Sequence, residues 1–61
     1  IPPFQYLLSL RMEEAKQLIM NNDDLNISLI AEMVGYSDPH YFSRIFRKTT
    51  GMSPSEFKRM A

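Results

Sequence analysis

The 61-residue sequence lacks cysteine and has no long uninterrupted apolar segment. Without cysteine the chain can form no disulfide, which fits a reducing compartment. Its longest uncharged runs, Ile1 to Leu10 and Gln17 to Asn22, are shorter than the roughly 20 apolar residues that span a bilayer. We therefore expect a cytoplasmic protein. Because the chain begins at Ile1 rather than methionine, we also expect it to be part of a longer protein.

Net charge is absent as well, since seven Lys and Arg residues balance seven Asp and Glu residues. This balance argues against a simple polybasic nucleic-acid binder. The charges are nevertheless unevenly placed: two cationic residues stand against four acidic ones in residues 1–24, whereas five stand against one in residues 40–61. Such asymmetry favours a surface in the C-terminal third that faces a polyanion.

Residues suited to catalysis or metal binding are scarce. His40 is the single histidine, which argues against a metal site because such sites usually need three or four ligands. Ser37, Asp38 and His40 are the residue types of a catalytic triad, but they lie too close together in sequence for triad geometry. Helix capping explains Ser37 and Asp38 better. We therefore expect no enzyme, no metal and no cofactor.

The sequence shows neither sustained period-two alternation nor a hairpin signal, and it predicts an all-α fold, a small bundle of four helices. The first helix, over about residues 3–20, begins at Pro2 and Pro3 and ends in the turn-forming run Asn21 to Asp24. Its apolar residues are predicted to share one inward arc: Phe4, Leu7, Leu8, Met12, Ala15, Leu18 and Ile19.

Two shorter helices are predicted next, over about residues 28–34 and 38–49. Asn26 or Ser28 is expected to cap the first and Ser37 the second, while Gly35 and Gly51 close them. Apolar spacing gives their inward residues: Ile27, Ile30, Ala31 and Val34 in one, and Phe42, Ile45, Phe46 and Thr49 in the other.

A closing helix is predicted over about residues 54–61. Ser53 and Glu56 have the spacing of a capping box, and Pro54 suits the first helical position. Phe57 and Met60 are expected on its inner face.

The gap between the second and third helices is short and contains glycine: Gly35, Tyr36 and Ser37. Two short helices joined by such a turn form a helix-turn-helix unit. In its DNA-binding version the second helix enters the major groove and brings its N-terminal residues to base edges. The third helix has the amphipathic pattern that this requires. Its predicted outer face carries Pro39, His40, Ser43, Arg44 and Arg47, with Lys48 at its flank.

Arg44 is the strongest candidate for reading a base, because a guanidinium can bond both major-groove acceptors of a guanine. His40 lies one turn before Arg44 and Ser43 one residue before it, both on the same face. Further cationic residues are predicted to meet phosphates: Arg47, Lys48, Lys58 and Arg59. For the last two, an ordinary solvated surface is an equal alternative.

Several spaced motifs in this region resemble the AraC/XylS family of bacterial transcription regulators. The matching elements are Ile30-Ala31, Val34-Gly35-Tyr36, Tyr41-Phe42-Ser43-Arg44, Phe46-Arg47-Lys48, Gly51 and Ser53-Pro54. Residues 6–19 resemble the long linker helix of that family. The resemblance covers nearly the whole chain, and its motifs agree in order and distance.

The resemblance implies a linker helix, the second of two helix-turn-helix units and a closing helix, with the first unit and any regulatory domain outside this chain. By position it implies base contacts from His40, Ser43 and Arg44, with Pro39 and Tyr41 near the backbone of double-stranded DNA. Contact with RNA polymerase is a further expectation for the full-length protein. Leu8 departs from the family's usual polar residue, which suggests an extra apolar contact with the missing half.

The main alternative is a helical protein-interaction or dimerisation module that does not bind DNA by itself. Zero net charge and the apolar first helix favour it.

Arg11 lies inside the apolar arc, where we expect a structural role: its stem would pack while the guanidinium bonds a carboxylate or free helix carbonyls. The five methionines are expected to fill gaps in the core. The aromatic residues are also predicted there: Tyr6, Tyr36, Phe42, Phe46 and Phe57.

Overall fold

The computed structural model describes residues 3–22, 24 and 26–60, and these form helices joined by short connections. The helices are α1 (Phe4–Asn21), α2 (Ile27–Met33), α3 (Pro39–Thr50) and α4 (Pro54–Met60). No strand occurs in these residues, and the predicted all-α class is confirmed. The predicted features at Pro2, Asp23 and Ala61 lie outside the described residues. None of the helices combines the length and hydropathy that crossing a membrane would require.

The core lies where α1 packs against the three shorter helices, and α3 also contacts α2 and α4. The buried side chains of the core cluster are Met12, Ala15, Ile19, Ile30, Ala31, Val34, Phe42 and Phe46, and Pro54 of α4 is buried as well. Leu8 packs against this cluster. Its apolar character is therefore accounted for inside the chain and needs no contact with a missing half.

The N-terminal part of α1 extends past the core. Phe4 is 72% exposed and Leu7 43% exposed, although both were predicted to face inward. Tyr6, predicted to be a core residue, is 53% exposed. The buried residues of α1 begin only at Met12. These predictions were wrong because helical periodicity shows which side of a helix is apolar but not how far along it the packing partners reach.

The starts of α2 and α3 are fixed by side-chain caps. The Asn26 carboxamide oxygen accepts the Leu29 N–H at 2.8 Å, which decides between the two predicted caps of α2. In α3 the cap is Asp38, whose carboxylate accepts the His40 N–H at 2.9 Å, and the prediction of Ser37 was wrong. The reason is Pro39, since a proline disfavours helical geometry in the residue before it and so places the first helical position at Pro39.

Further side chains depart from the predicted core. Thr49 is exposed, and the neighbouring Thr50 hydroxyl instead donates a 2.8 Å hydrogen bond to the Phe46 carbonyl. Met60 is 74% exposed, close to the end of α4. Among the described methionines only Met12 is buried, so gap filling explains that one residue and not the set.

Arg11 contacts the turn between α2 and α3. Its guanidinium carbon lies 5.4 Å from the centroid of the Tyr36 ring, within the range of a cation–π interaction. The same group covers Gly35, whose φ of 104° lies in the region that favours glycine, and a Cβ there would stand 3.5 Å from the Arg11 Cζ. Arg11 thus has the structural role expected for it. Its partner is an aromatic ring and not the carboxylate or carbonyls that were predicted.

We expect Arg11→Met to lower the free energy of unfolding by about 0.5–1 kcal/mol, the usual strength of an exposed cation–π pair. Urea unfolding followed by circular dichroism would measure this for Arg11→Met, Tyr36→Leu and the double variant. Lys16→Met is the matched control, because Lys16 pairs with Glu13 at 3.1 Å on the same helix. Additive losses for Arg11→Met and Tyr36→Leu would contradict a direct interaction.

Candidate nucleic-acid interface

The charged side chains of α3 lie opposite its buried ones. Phe42 and Phe46 are fully buried. At about 100° per residue, the exposed cationic strip of α3 covers an arc of roughly 100° and runs along a helix about 18 Å long. This cationic strip consists of three charged side chains, Arg44, Arg47 and Lys48, together with the imidazole of His40, all exposed. α3 thus has a buried face that anchors it in the core and a solvent-exposed face that can contact a polyanion.

A row of aromatic rings fixes how α3 is turned. The Phe42 ring lies 5.7 Å from that of Tyr36 in the preceding turn and 5.8 Å from Phe46, measured between centroids. Phe46 in turn meets Phe57 of α4 edge-on at 5.7 Å. Tilted and edge-on rings at these separations are favourable aromatic geometries. Rotation of α3 about its own axis would break the row, so the cationic strip has a defined direction.

The predicted base-reading residues differ in exposure. His40 and Arg44 are exposed within the cationic strip, whereas Ser43 is half-buried at its edge. Of the two residues that the family resemblance placed near the DNA backbone, Pro39 is half-buried at the first helical position and Tyr41 is 48% exposed. The Tyr41 ring packs 5.9 Å from the Tyr36 ring, measured between centroids. Their contacts with DNA remain predictions.

The cationic residues of α4 lie beside a different surface. Lys58 is half-buried and Arg59 is exposed. Together they line an open recess with Asn26, Ile27 and Ser55, next to the start of α2. The predicted phosphate contacts therefore fall into two groups, one on α3 and one on α4.

Glu56 connects these two helices. The predicted capping box is confirmed, since the Ser53 N–H donates to Glu56 Oε1 at 2.9 Å and the Glu56 N–H donates to Ser53 Oγ at 3.2 Å. The same Oε1 lies 3.7 Å from Arg47 Nη1 in α3. This ion pair was not predicted. Capping is a local pattern that sequence shows, whereas the pair depends on how α4 folds back against α3.

The hydrogen bond from the Ser53 backbone N–H is the main reason that the pKa of Glu56 lies below the ordinary value of a glutamate carboxyl. The Ser53 side chain adds to this shift, and the positive charges of Arg47 and Arg59 contribute smaller amounts. Each of these groups favours the ionised carboxylate, and desolvation opposes them with an effect larger than that of either arginine. Glu56 is therefore an anion at neutral pH beside two arginines.

A short two-helix unit, with glycine in its turn and a cationic strip on its second helix, defines the helix-turn-helix class of DNA-binding proteins. The sequence comparisons agree. A family model described as a helix-turn-helix domain matches residues 1–60. The chain is 42% identical to an HTH-type transcriptional regulator, YisR of Bacillus subtilis, over 98% of this chain and 21% of that protein.

Two further comparisons identify the family. The arabinose operon regulatory protein of Escherichia coli is 44% identical over 79% of this chain and 16% of its own length. The solved C-terminal domain of AraT, a response regulator from Geobacillus stearothermophilus, superposes with a TM-score of 0.92 at 41% identity, over all of this chain and 50% of that one. The chain belongs to the AraC-type helix-turn-helix family of transcription regulators. It spans about a fifth of the length of the curated relatives named here.

The lowered pKa of Glu56 predicts an acid-dependent loss of stability. An ionised Glu56 stabilises the fold above the carboxyl pKa of the unfolded chain, near 4.5, and this contribution disappears as the pH falls through the lower folded value. Glu56→Gln should therefore be less stable than the wild type at pH 7, and the two should converge below about pH 4.5.

Thermal unfolding measured from pH 7 down to pH 3 would test this prediction. Glu14→Gln makes the same charge change on the exposed surface of α1 and serves as the control. A difference in melting temperature between wild type and Glu56→Gln that stays constant from pH 7 to pH 3 would contradict the prediction.

Proposed function

We propose that this chain binds double-stranded DNA by placing α3 in the major groove, as the second helix-turn-helix unit of a longer transcription regulator. The observation that supports this proposal is the cationic strip of α3, which faces away from an aromatic core that fixes its direction. A helix about 10–12 Å across with its side chains fits a groove about 12 Å wide. Family membership supports the same role and favours a regulator over an enzyme.

Within this proposal the residues of α3 have different roles. Arg44 reads a base, because it is exposed on the strip and its fork of N–H donors matches the two acceptors of guanine. His40, one turn earlier, and Ser43, at the edge of the strip, contribute further base contacts. Arg47 and Lys48 lie towards the C-terminus of α3 and meet phosphates, which position the helix without reading sequence.

Four other residues complete the proposed contacts with the DNA backbone. Pro39 and Tyr41 lie in the first turn of α3, where the chain approaches the groove. Lys58 and Arg59 extend the contact from α4. These two line the recess beside the start of α2.

Arg44→Ala should weaken binding to a selected DNA site by about 1–3 kcal/mol and change binding to random duplex much less. Lys48→Ala should weaken both by a similar factor and reduce the salt dependence by about one phosphate contact. Fluorescence anisotropy with a site enriched from a random library and with a random-sequence duplex, at several salt concentrations, would separate the two effects.

Equal losses for Arg44→Ala on both duplexes would show that Arg44 does not read bases. If the wild type fails to bind either duplex at low salt, the chain does not bind DNA alone. The same titration would then be repeated on a longer protein that includes the first unit.

The projecting part of α1 supports the proposal that the first helix-turn-helix unit and a regulatory domain lie outside this chain. Phe4, Tyr6, Leu7 and Leu10 are large apolar side chains that are exposed on two successive turns. The solved AraT domain is about twice as long as the segment that this chain matches. We propose that the first unit covers this apolar surface in the longer protein. Contact with RNA polymerase is a further proposal for that protein, supported by family membership.

Family membership favours DNA binding over the alternative function, a dimerisation or protein-interaction module, and the exposed apolar surface of α1 is the observation that would suit that alternative. This alternative would make the chain self-associate through α1, since large exposed apolar patches tend to find partners. Sedimentation at high concentration would test it. A monomeric mass would exclude pairing of this chain, and a dimer that Phe4→Ser disrupts would support it.

Phe4→Ser should change the free energy of unfolding of the monomer by no more than about 0.5 kcal/mol, because the side chain is mostly exposed. Ile19→Ala, on the same helix but 2% exposed, should cost about 2–5 kcal/mol. Urea unfolding at low protein concentration would measure both. A large loss for Phe4→Ser under these conditions would mean that Phe4 is packed within the chain.

A further inference from the structure

We propose that Glu56 is an intramolecular competitor of DNA phosphate for Arg47, and that it lowers the sequence-independent affinity of the chain for DNA. This inference rests on the proposed binding of DNA by α3. It assigns a role to an acidic residue of the closing helix, outside the residues expected to touch DNA.

The ion pair brings a carboxylate to one of the proposed phosphate-binding side chains. Glu56 Oε1 lies 3.7 Å from Arg47 Nη1, and the two side chains are 45% and 68% exposed. Arg47 therefore remains accessible while an internal anion stands next to it. Arg59, another proposed phosphate contact, follows Glu56 by three residues in α4, a spacing that makes the two side chains neighbours on one helix face.

The carboxylate is held in position. Glu56 Oε1 accepts the Ser53 N–H at 2.9 Å, and this bond belongs to the capping box that starts α4. α4 in turn is packed on α3 through the contact of Phe57 with Phe46. The anion thus occupies a fixed place next to Arg47 and does not sample the surface as a free side chain would.

A phosphate that approaches Arg47 meets this fixed carboxylate as well. It must replace part of the attraction between Arg47 and Glu56, and it is repelled by the remaining negative charge. Both effects oppose phosphate contacts at any DNA sequence. Arg44, which lies one turn earlier on α3, carries the base reading and is not part of the pair. Glu56 therefore acts on the electrostatic part of binding, which is the part that holds a protein on non-specific DNA.

Glu56→Gln is the variant that isolates the charge. Glutamine keeps the oxygen that the capping box needs and loses the negative charge. On a random-sequence duplex at low salt, we expect Glu56→Gln to bind about two- to fivefold more tightly than the wild type, the range of an exposed ion pair. The logarithmic salt slope should steepen by up to about one phosphate contact. Anisotropy titrations at neutral pH would measure both, with thermal melts to show that each variant is folded.

Two comparisons make the test specific. Glu14→Gln removes the same negative charge from the exposed surface of α1 and should change binding less than Glu56→Gln does. In the background of Arg47→Gln, the gain from Glu56→Gln should become clearly smaller, because the cation for which Glu56 competes is gone and only the direct repulsion of phosphate remains.

The outcomes separate this inference from the proposed function. If the wild type binds and Glu56→Gln gains no more than Glu14→Gln, the inference is overturned while DNA binding stands. A gain that persists undiminished in Arg47→Gln would also overturn it, since the carboxylate would then act on DNA without Arg47. Absence of binding by every variant at low salt would overturn the proposed function itself, and this inference with it.

Discussion

The burial of Phe42 and Phe46 in α3 is the interaction on which the rest of the molecule depends. These two rings are fully buried, and they join the turn, through Tyr36, to the closing helix, through Phe57. A chain of this size buries only about 60% of the surface that its unfolded form exposes, so two large rings carry an unusual share of its stability. The residues that hold α3 in place are therefore also the residues that decide where its cationic side chains point.

Most of the fold could be predicted from local patterns in the sequence. The capping box of Ser53 and Glu56, the glycine that ends α2 and the spacing of Phe42 and Phe46 each depend on residues a few positions apart, and the structure agrees with all three. Family resemblance, which rests on the same short-range motifs, was confirmed over nearly the whole chain. Even a wrong local prediction had a local reason, because Pro39 moved the cap of α3 from Ser37 to Asp38.

Contacts between helices could not be predicted from such local sequence patterns. The interaction of Arg11 with Tyr36 and the ion pair of Arg47 with Glu56 join residues whose distance depends on helix packing. Periodicity likewise assigned Phe4 and Met60 to inner faces, although each lies near a helix end and is more than 70% exposed. For the candidate interface, the sequence placed the cationic side chains on one helix face, but their pairing with the acidic residue of α4 required the three-dimensional arrangement.

The length of α1 also sets the angle about the helix axis between its projecting end and α3. Its 18 residues form a rod about 27 Å long, whose buried side chains begin at Met12 and whose Leu8 also packs against the core, while the turn before Leu8 projects. In the longer protein proposed above, a unit attached to the projecting part would be fixed in both distance and angle relative to α3. One residue inserted between Leu10 and Met12 would turn the attached part by about 100° while moving it only about 1.5 Å. With α3 in the major groove, as proposed above, such a change of angle would matter far more than the change of length.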